Sequence, residues 1–503
     1  MRKNIKLATF ITYLTIILGN AISLFYTPFA LSKLGKSQYG LFSLVNSIIA
    51  YIYLMDMGFG DAVIRYNSKY IAEKNYEGQK KINGMFLVLY LIIGASAFII
   101  GLIIYFNIGS IFNKGLNHEE IIQMKAMFIV AIINLALSFP LNIFNSIIMA
   151  NEEFVYIKIV NLIRTILNPI VMLCILLIGY RAFGMIIAST IFNLLIGIGN
   201  VMYCFKFLNL KIKFDGFNKT LFIEILKYSF FVFLASIAYQ IYWNTDQFLL
   251  GMFVSSTIIA VYAVAMQFNT YFISLSNVLS SMFLPKLTKI TAVDQNNAEL
   301  MKILIKVSRM QFFVCSYIFM AFVLVGKQFI IRWVGKGYSL AYIIAIIVMF
   351  PQIFSIIQSL FATMLEAMNK HKIKAYIYLS VSVLNLILSI LLVQRFQALG
   401  CAVSTAVGML INAIANNFYY KYNLKLNMKS FWKEILKLCI PSCLVFVIGI
   451  GIVNMFNITT YLHILLFGIA FSFIYFCVFW LIGFNKYEKN IVFSLINIVK
   501  IKI

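Results

Sequence analysis

Apolar residues in this chain come in blocks of about twenty, divided by short polar connections, and do not follow the period of a strand or of a half-exposed helix. A helix needs about 20 apolar residues to cross a bilayer. Fourteen such blocks fit, at about 7–31, 40–64, 82–107, 121–149, 158–179, 183–205, 225–250, 257–284, 308–325, 339–365, 374–394, 398–420, 435–455 and 460–483. The lipid interior offers no water to backbone N–H and C=O groups, so each block must satisfy its own hydrogen bonds as a helix. The alternation of an outer-membrane barrel is absent. The pattern predicts an all-α polytopic membrane protein with about 14 transmembrane helices. The run behind Met1–Lys6 is too long for a signal peptide and reads as the first helix.

Composition supports this reading. The 503 residues are 62% hydrophobic and only 11% charged, which excludes a soluble domain. The net charge of +25 raises the question of a nucleic-acid partner, but the charge is spread over many loops and forms no basic domain. Its placement is one-sided. Segments 1–6, 65–81, 150–158, 206–227, 285–309, 366–374, 421–437 and 486–503 hold 31 of the 41 Lys and Arg. The intervening connections hold nine, and Arg164 alone lies within an apolar run. By the positive-inside rule the rich segments are cytoplasmic, so both termini are cytoplasmic and the loops contact anionic lipid headgroups. No connection is long enough for a soluble catalytic domain. The seven cysteines fall in apolar blocks and read as small core residues, not as a disulfide or metal framework.

An internal repeat is visible. Tyr39–Leu44, opening the second block, lines up with Ile259–Val264, opening the eighth. Lys158, Asn168 and Phe183-Gly184 line up with Lys374, Asn385 and Leu399-Gly400, at an offset of roughly 216–220 residues. This predicts two pseudo-symmetric six-helix bundles, 1–210 and 211–424, followed by two C-terminal helices and a tail in 425–503. Six is even, so both bundles insert the same way up, a symmetry that transporters use to place a substrate site between halves.

Charged groups at membrane depth are costly and tend to mark function. Asp56, Asp61 and Arg65 lie within Asp56–Arg65. Asp61 and Arg65, four apart, either line a cavity or pair at a helix end. Arg164 sits nearly two turns into the fifth block, facing a cavity or snorkelling to the surface. Asp246 lies near the end of the seventh, in Tyr242-Trp243-Asn244-Thr245-Asp246-Gln247. Polar stripes at helical spacing occur in three blocks: Gln267, Thr270, Ser274, Asn277 and Ser281; Ser229, Ser236, Gln240, Trp243 and Gln247; Thr12, Thr15, Gly19, Ser23 and Thr27. Such faces are helix–helix glue or the wall of a hydrated cleft, and their equivalent places in the repeat favour the cleft. No phosphate-binding glycine loop, serine elbow, zinc motif or paired-aspartate site occurs, so neither ATP use nor an enzyme activity is expected.

Leu34-Gly35 through Tyr39-Gly40, followed by Asp56, Gly58-Phe59-Gly60 and Arg65, resembles the N-terminal signature of the polysaccharide transporter (Wzx-type flippase) family. That family belongs to the multidrug/oligosaccharidyl-lipid/polysaccharide exporter superfamily. Asn244-Thr245-Asp246 with Leu249-Leu250-Gly251 resembles its span-seven motif. The resemblance implies two six-helix bundles around a cation-lined cavity in a bacterial cytoplasmic membrane. It also implies transfer of an undecaprenyl-pyrophosphate-linked oligosaccharide to the outer leaflet, for O-antigen, lipopolysaccharide, capsule or exopolysaccharide synthesis. A polysaccharide polymerase and a chain-length regulator are the implied partners. The related lipid II flippases carry several arginines in span one and its neighbours. Span one has none here, which counts against that branch.

On this reading transport is by alternating access, with no catalytic residue, metal or cofactor. Arg65 and Arg164 attract the pyrophosphate through charge-assisted hydrogen bonds. Trp243, Asn244, Gln267, Tyr271 and Asn277 contact sugars, Asp56, Asp61 and Asp246 complete the site, and Asp56 or Asp246 couples it to H⁺ or Na⁺. The alternatives are a cation-coupled multidrug exporter, which wants an acidic cavity, and a membrane glycan polymerase, which usually carries a substantial outside loop.

Overall fold

A computed structural model of the chain describes residues 2–214, 219–293, 297–368, 371–456, 458–490 and 493. Side chains are described within these ranges except at 2–6, 228, 231, 277–293, 297, 366, 367, 371 and 372. Fourteen α-helices account for most of the chain, with no strand among the described residues. In order they are α1 (Arg2–Ile52), α2 (Phe59–Ala72), α3 (Tyr76–Phe112), α4 (His118–Ala150), α5 (Phe154–Leu177), α6 (Ala182–Lys206) and α7 (Lys219–Phe253). Then follow α8 (Ser256–Val293), α9 (Asn297–Val334), α10 (Ser339–Ile357), α11 (Ser359–Ala367), α12 (His371–Tyr422), α13 (Met428–Met455) and α14 (Tyr461–Val478). Eleven of the described helical stretches are long and apolar enough to cross a membrane, or twelve if Lys219–Lys227 and Val232–Phe253 form one bent span. Two of these, Leu7–Ala72 with 66 residues and Ile373–Tyr422 with 50, are long enough to cross twice. Every one of the fourteen predicted spans therefore has a helix.

Helix ends differ from the apolar boundaries, because polar caps set them. Asn75 accepts from Gly78 N–H at 2.8 Å, so α3 starts six residues before its apolar run. A capping box of Asn117 and Glu120 starts α4. Conversely, backbone breaks interrupt helices that would otherwise be continuous. Gly35 (φ 73°, ψ 171°) lies between the first two predicted spans and Gln397 (φ 49°) between the eleventh and twelfth. Met57 (φ 51°) and Gly58 (φ 72°) are both left-handed and separate α1 from α2. At Gly58 a side chain is excluded twice over, by this φ and by Val232, which lies 2.5 Å from where a Cβ would stand. Within predicted span ten, Gln358 divides α10 from α11.

Two compact units follow from residue contacts. One comprises Met1–Ala263 with Leu386–Cys401, and the other Val264–Asn385 with Ala402–Ile503. In the first, α1 packs along α5 and α7, and α4 packs against α3 and α6. At the helix ends that the lysine pattern places outside, Glu120 of α4 accepts from Ser37 of α1 and Ser256 of α8. A Cβ at Gly40 would overlap the Ser256 carbonyl oxygen, so only glycine permits this approach. In the second unit α9 is the hub, packed on α10, α13 and α14. Tyr475 of α14 is buried there and donates to the Phe313 carbonyl at 2.7 Å.

All seven cysteines are free thiols. Cys204, Cys315 and Cys401 are buried, as expected of small core residues, whereas Cys174 and Cys443 are exposed on helix faces. A surface facing lipid accepts a thiol as readily as a core does, so an apolar neighbourhood in sequence did not distinguish the two.

Candidate functional site

Four helices of the first unit turn polar faces toward one cavity of roughly 370 Å³. The spacing of the lining residues shows why. On α4 they include Asn134, Ser138, Asn142 and Asn145; on α5, Ile157, Val160, Asn161 and Arg164. On α6 they are Asn193, Ile196, Gly197 and Asn200, and α1 adds Asn46 and Ile49, with Tyr53 from the turn that follows. Each set recurs every three or four residues, the repeat of a single helix face. Seven asparagines, a serine, a tyrosine and an arginine thus meet at membrane depth, and no carboxylate lines the cavity.

Arg164 carries the one formal charge of this lining. Its Nη2 donates to Asn193 Oδ1 at 2.6 Å, which ties α5 to α6 and fixes the guanidinium at the cavity wall. The side chain stays exposed, and a guanidinium has five N–H donors, so the Asn193 bond leaves capacity for an anion. Ser138 donates to Asn134 Oδ1 at 3.4 Å, and Tyr53 stacks on Phe139 with ring centroids 5.8 Å apart. Each asparagine amide offers both a donor pair and an acceptor, the combination that vicinal hydroxyls or an acetamido group require.

The other residues singled out from the sequence lie elsewhere. Asp56 ends the turn that bears Tyr53 but is not among the lining residues: it accepts from Tyr90 of α3 at 2.9 Å and lies against the N–H groups of Gly58 and Gly60. It serves the break between α1 and α2. Asp61 is exposed in the first turn of α2, where a carboxylate complements the helix dipole. Arg65 is exposed one turn further on and is not among the lining residues.

The span-seven motif is a packing hub. Asp246 is 2% exposed and accepts from the Tyr262 hydroxyl of α8 and from Ser389 of α12 at 2.9 Å. Thr245 bonds Tyr51, Gln247 accepts from Ser43 at 2.9 Å, and Asn244 donates to Gln240 on its own helix. Trp243 packs on Tyr242 and Tyr239. Within the α7 stripe, Gln247 joins α7 to α1, while Gln240 and Trp243 meet neighbours on their own helix. In span one Gly19 abuts Thr165 of α5, and the hydroxyls of Thr12 and Thr15 donate to the Ala8 and Ile11 carbonyls one turn earlier on the same helix, at 2.8 and 2.7 Å. In the second unit Gln267 donates to Tyr271 at 2.6 Å. The side chains of Asn277 and Ser281 lie outside the described residues.

Of the nine candidates whose side chains are described, only Arg164 lines the cavity. Its asparagine partners on α1, α4, α5 and α6 went unread, although the run Asn134, Ser138, Asn142, Asn145 has the spacing that marked the other stripes.

Comparison with solved structures agrees on architecture. The lipid II flippase MurJ in an inward closed conformation aligns over 94% of this chain and 98% of its own, with a TM-score of 0.72 at 18% identity. An inward-facing multidrug resistance MATE transporter of the MOP superfamily aligns over 83% and 99%, with 0.66 at 13%. A MOP superfamily transporter from Pyrococcus furiosus, described as having a binding pocket of reversed polarity, aligns over 83% and 95%, with 0.59 at 14%. At such identities the likeness establishes the fold. No curated protein matches in sequence. The sequence profile described as polysaccharide biosynthesis protein matches residues 6–291, more than half of the 503. With its helical membrane architecture, the chain belongs to the polysaccharide biosynthesis protein family.

Proposed function

We propose that this protein carries an undecaprenyl-pyrophosphate-linked oligosaccharide across a bacterial cytoplasmic membrane by alternating access, for surface polysaccharide synthesis. The observation that carries the reading is the asparagine-lined cavity with Arg164 at its wall. Amide groups suit sugar hydroxyls, and a single guanidinium in a lining without carboxylates suits a phosphate or a sugar carboxylate. Family membership and the MurJ-like fold support a lipid-linked cargo. The multidrug-exporter reading fits less well, since a cationic drug would meet Arg164 and no opposing acid.

Arg164 and its asparagines contact the glycan–phosphate headgroup while the polyprenyl chain stays in lipid. Asp56 remains the candidate for coupling to H⁺ or Na⁺, because it ends the turn whose Tyr53 lines the cavity. In a deletion strain, lipid-linked repeat units should accumulate facing the cytoplasm and surface glycan should vanish. Normal surface glycan in that strain, or accumulation facing outward, would overturn the proposal.

A further inference from the structure

A second cavity, of roughly 680 Å³, opens in the second unit between α10, the last turns of α12 and the start of α13. It falls within the roughly 300–1,000 Å³ of ligand-sized pockets. Its walls are apolar: Phe354 of α10, Leu410, Ile414 and Phe418 of α12, and Trp432 of α13. The lining's charged residues are Lys421 and Lys429, close to the α12–α13 turn at the end that the lysine pattern places at the cytoplasm.

The walls are fixed. Trp432 Nε1 donates to Asn417 Oδ1 at 2.8 Å, and the Asn417 amide donates to the Ala413 carbonyl at 2.7 Å. Phe354 packs on Trp432 with centroids 6.0 Å apart. The lysines are exposed, and neither forms an ion pair with a carboxylate among the described residues. Lys421 leans on the ring of Tyr422, 4.9 Å from its centroid. Lys429 stands in the first turn of α13, where no acidic residue offsets the helix dipole and a cation is misplaced for helix stability. A bound anion would relieve both features, since it meets the lysines and the positive end of a 28-residue helix together.

We infer that this groove holds an anionic glycerophospholipid of the adjoining leaflet, with the phosphate at Lys421 and Lys429 and one acyl chain along Ile414, Phe418 and Trp432. A basic pocket at the cytoplasmic end of membrane helices is the arrangement that recognises anionic headgroups. Charge here is confined to one end of an apolar trough, the distribution of a headgroup above its acyl chain. The inference is independent of the cargo proposed for the first unit.

Native mass spectrometry of the full chain in detergent, with equimolar phosphatidylglycerol and phosphatidylcholine, tests it. Two lysines near a headgroup predict a preference for phosphatidylglycerol of roughly tenfold or more. The double variant K421Q/K429Q should lose the preference while still retaining both lipids. Ile414→Trp, which fills the trough, should retain neither in the groove, with unchanged helical circular dichroism. Equal retention by the unaltered protein, a preference that survives K421Q/K429Q, or displacement of phosphatidylglycerol by equimolar undecaprenyl phosphate would each overturn the assignment.

Discussion

Arg164 is the residue on which the proposed transport turns. Arg164→Ala removes the cavity's charge and its bond to Asn193 without opening a core cavity, since the side chain is exposed. Surface glycan should fall at least tenfold while expression and helical content hold; unchanged glycan would remove Arg164 from the site. Arg164→Lys keeps the charge but not the fork, so intermediate activity is expected. Asp246 behaves differently. Asp246→Ala strands the hydroxyls of Tyr262 and Ser389 in a buried site, at a cost of about 1–3 kcal/mol. Thermal unfolding in detergent should show the loss, and Asp246→Asn, which accepts one of the two bonds and offers its NH2 to the other hydroxyl, should recover part of it. A D246N protein of normal stability that no longer transports would instead give Asp246 a part in coupling. Arg164 was legible in the sequence because a lone cation in an apolar run has few structural uses. The asparagines around it were not, because on any one helix an asparagine is indistinguishable from helix–helix glue. Their meaning comes from four helices converging.

At the scale of elements, the strongest unread feature is the anchor of the C-terminal helices. Arg309 of α9 is 4% exposed. Its guanidinium forks onto Glu488 at 2.6 and 2.9 Å, donates to the Gly483 carbonyl at 2.8 Å, and reaches Glu434 of α13 at 3.4 Å. The partners lie 125 and 179 residues away in sequence, so Arg309 reads as one more cytoplasmic cation until the helices are packed. Removing one member of a buried ion pair leaves the other uncompensated, so Arg309→Ala should cost about 3–5 kcal/mol, seen as a lowered Tm and early proteolysis of the C-terminal segment. An Arg309→Ala protein as stable as the parent would reduce the cluster to a surface pairing. Helix presence was legible from block length, whereas helix breaks were hidden: Gly35 and Met57-Gly58 depend on φ, which hydropathy does not report. The opposite ends of α1, α4 and α8 permit a second test. Ser256 Oγ lies 3.2 Å from Ser37 Oγ, so cysteines at both positions are close enough to pair. If cargo leaves at this end, the oxidised double variant should stop displaying glycan and a reductant should restore it. Display that continues when cross-linked would place the exit elsewhere.

For the whole molecule, orientation is the property on which both cargo entry and the lipid site depend. Fourteen spans, an even number, return the C-terminus to the side of the N-terminus. Thirty-one of 41 Lys and Arg then share that side, and the reverse orientation would move all of them across the membrane. The doubled helices decide the faces of the connections: reading Leu7–Ala72 and Ile373–Tyr422 as one span each would leave twelve, also even, but would carry the connections between them to the wrong faces. Loop positions are therefore more decisive than termini. In a cysteine-free background, single cysteines at Lys114 and Lys336 should react with a membrane-impermeant maleimide in intact cells, and cysteines at Lys213 and Lys425 only after lysis. A single-pass reading of Leu7–Ala72 would reverse Lys114 and Lys213 together, and a single-pass reading of Ile373–Tyr422 would reverse Lys425 relative to Lys336. Labelling at these four sites thus tests each doubled helix separately, and reactive cysteines at Lys213 and Lys425 in intact cells would invert the direction of transport proposed for the molecule.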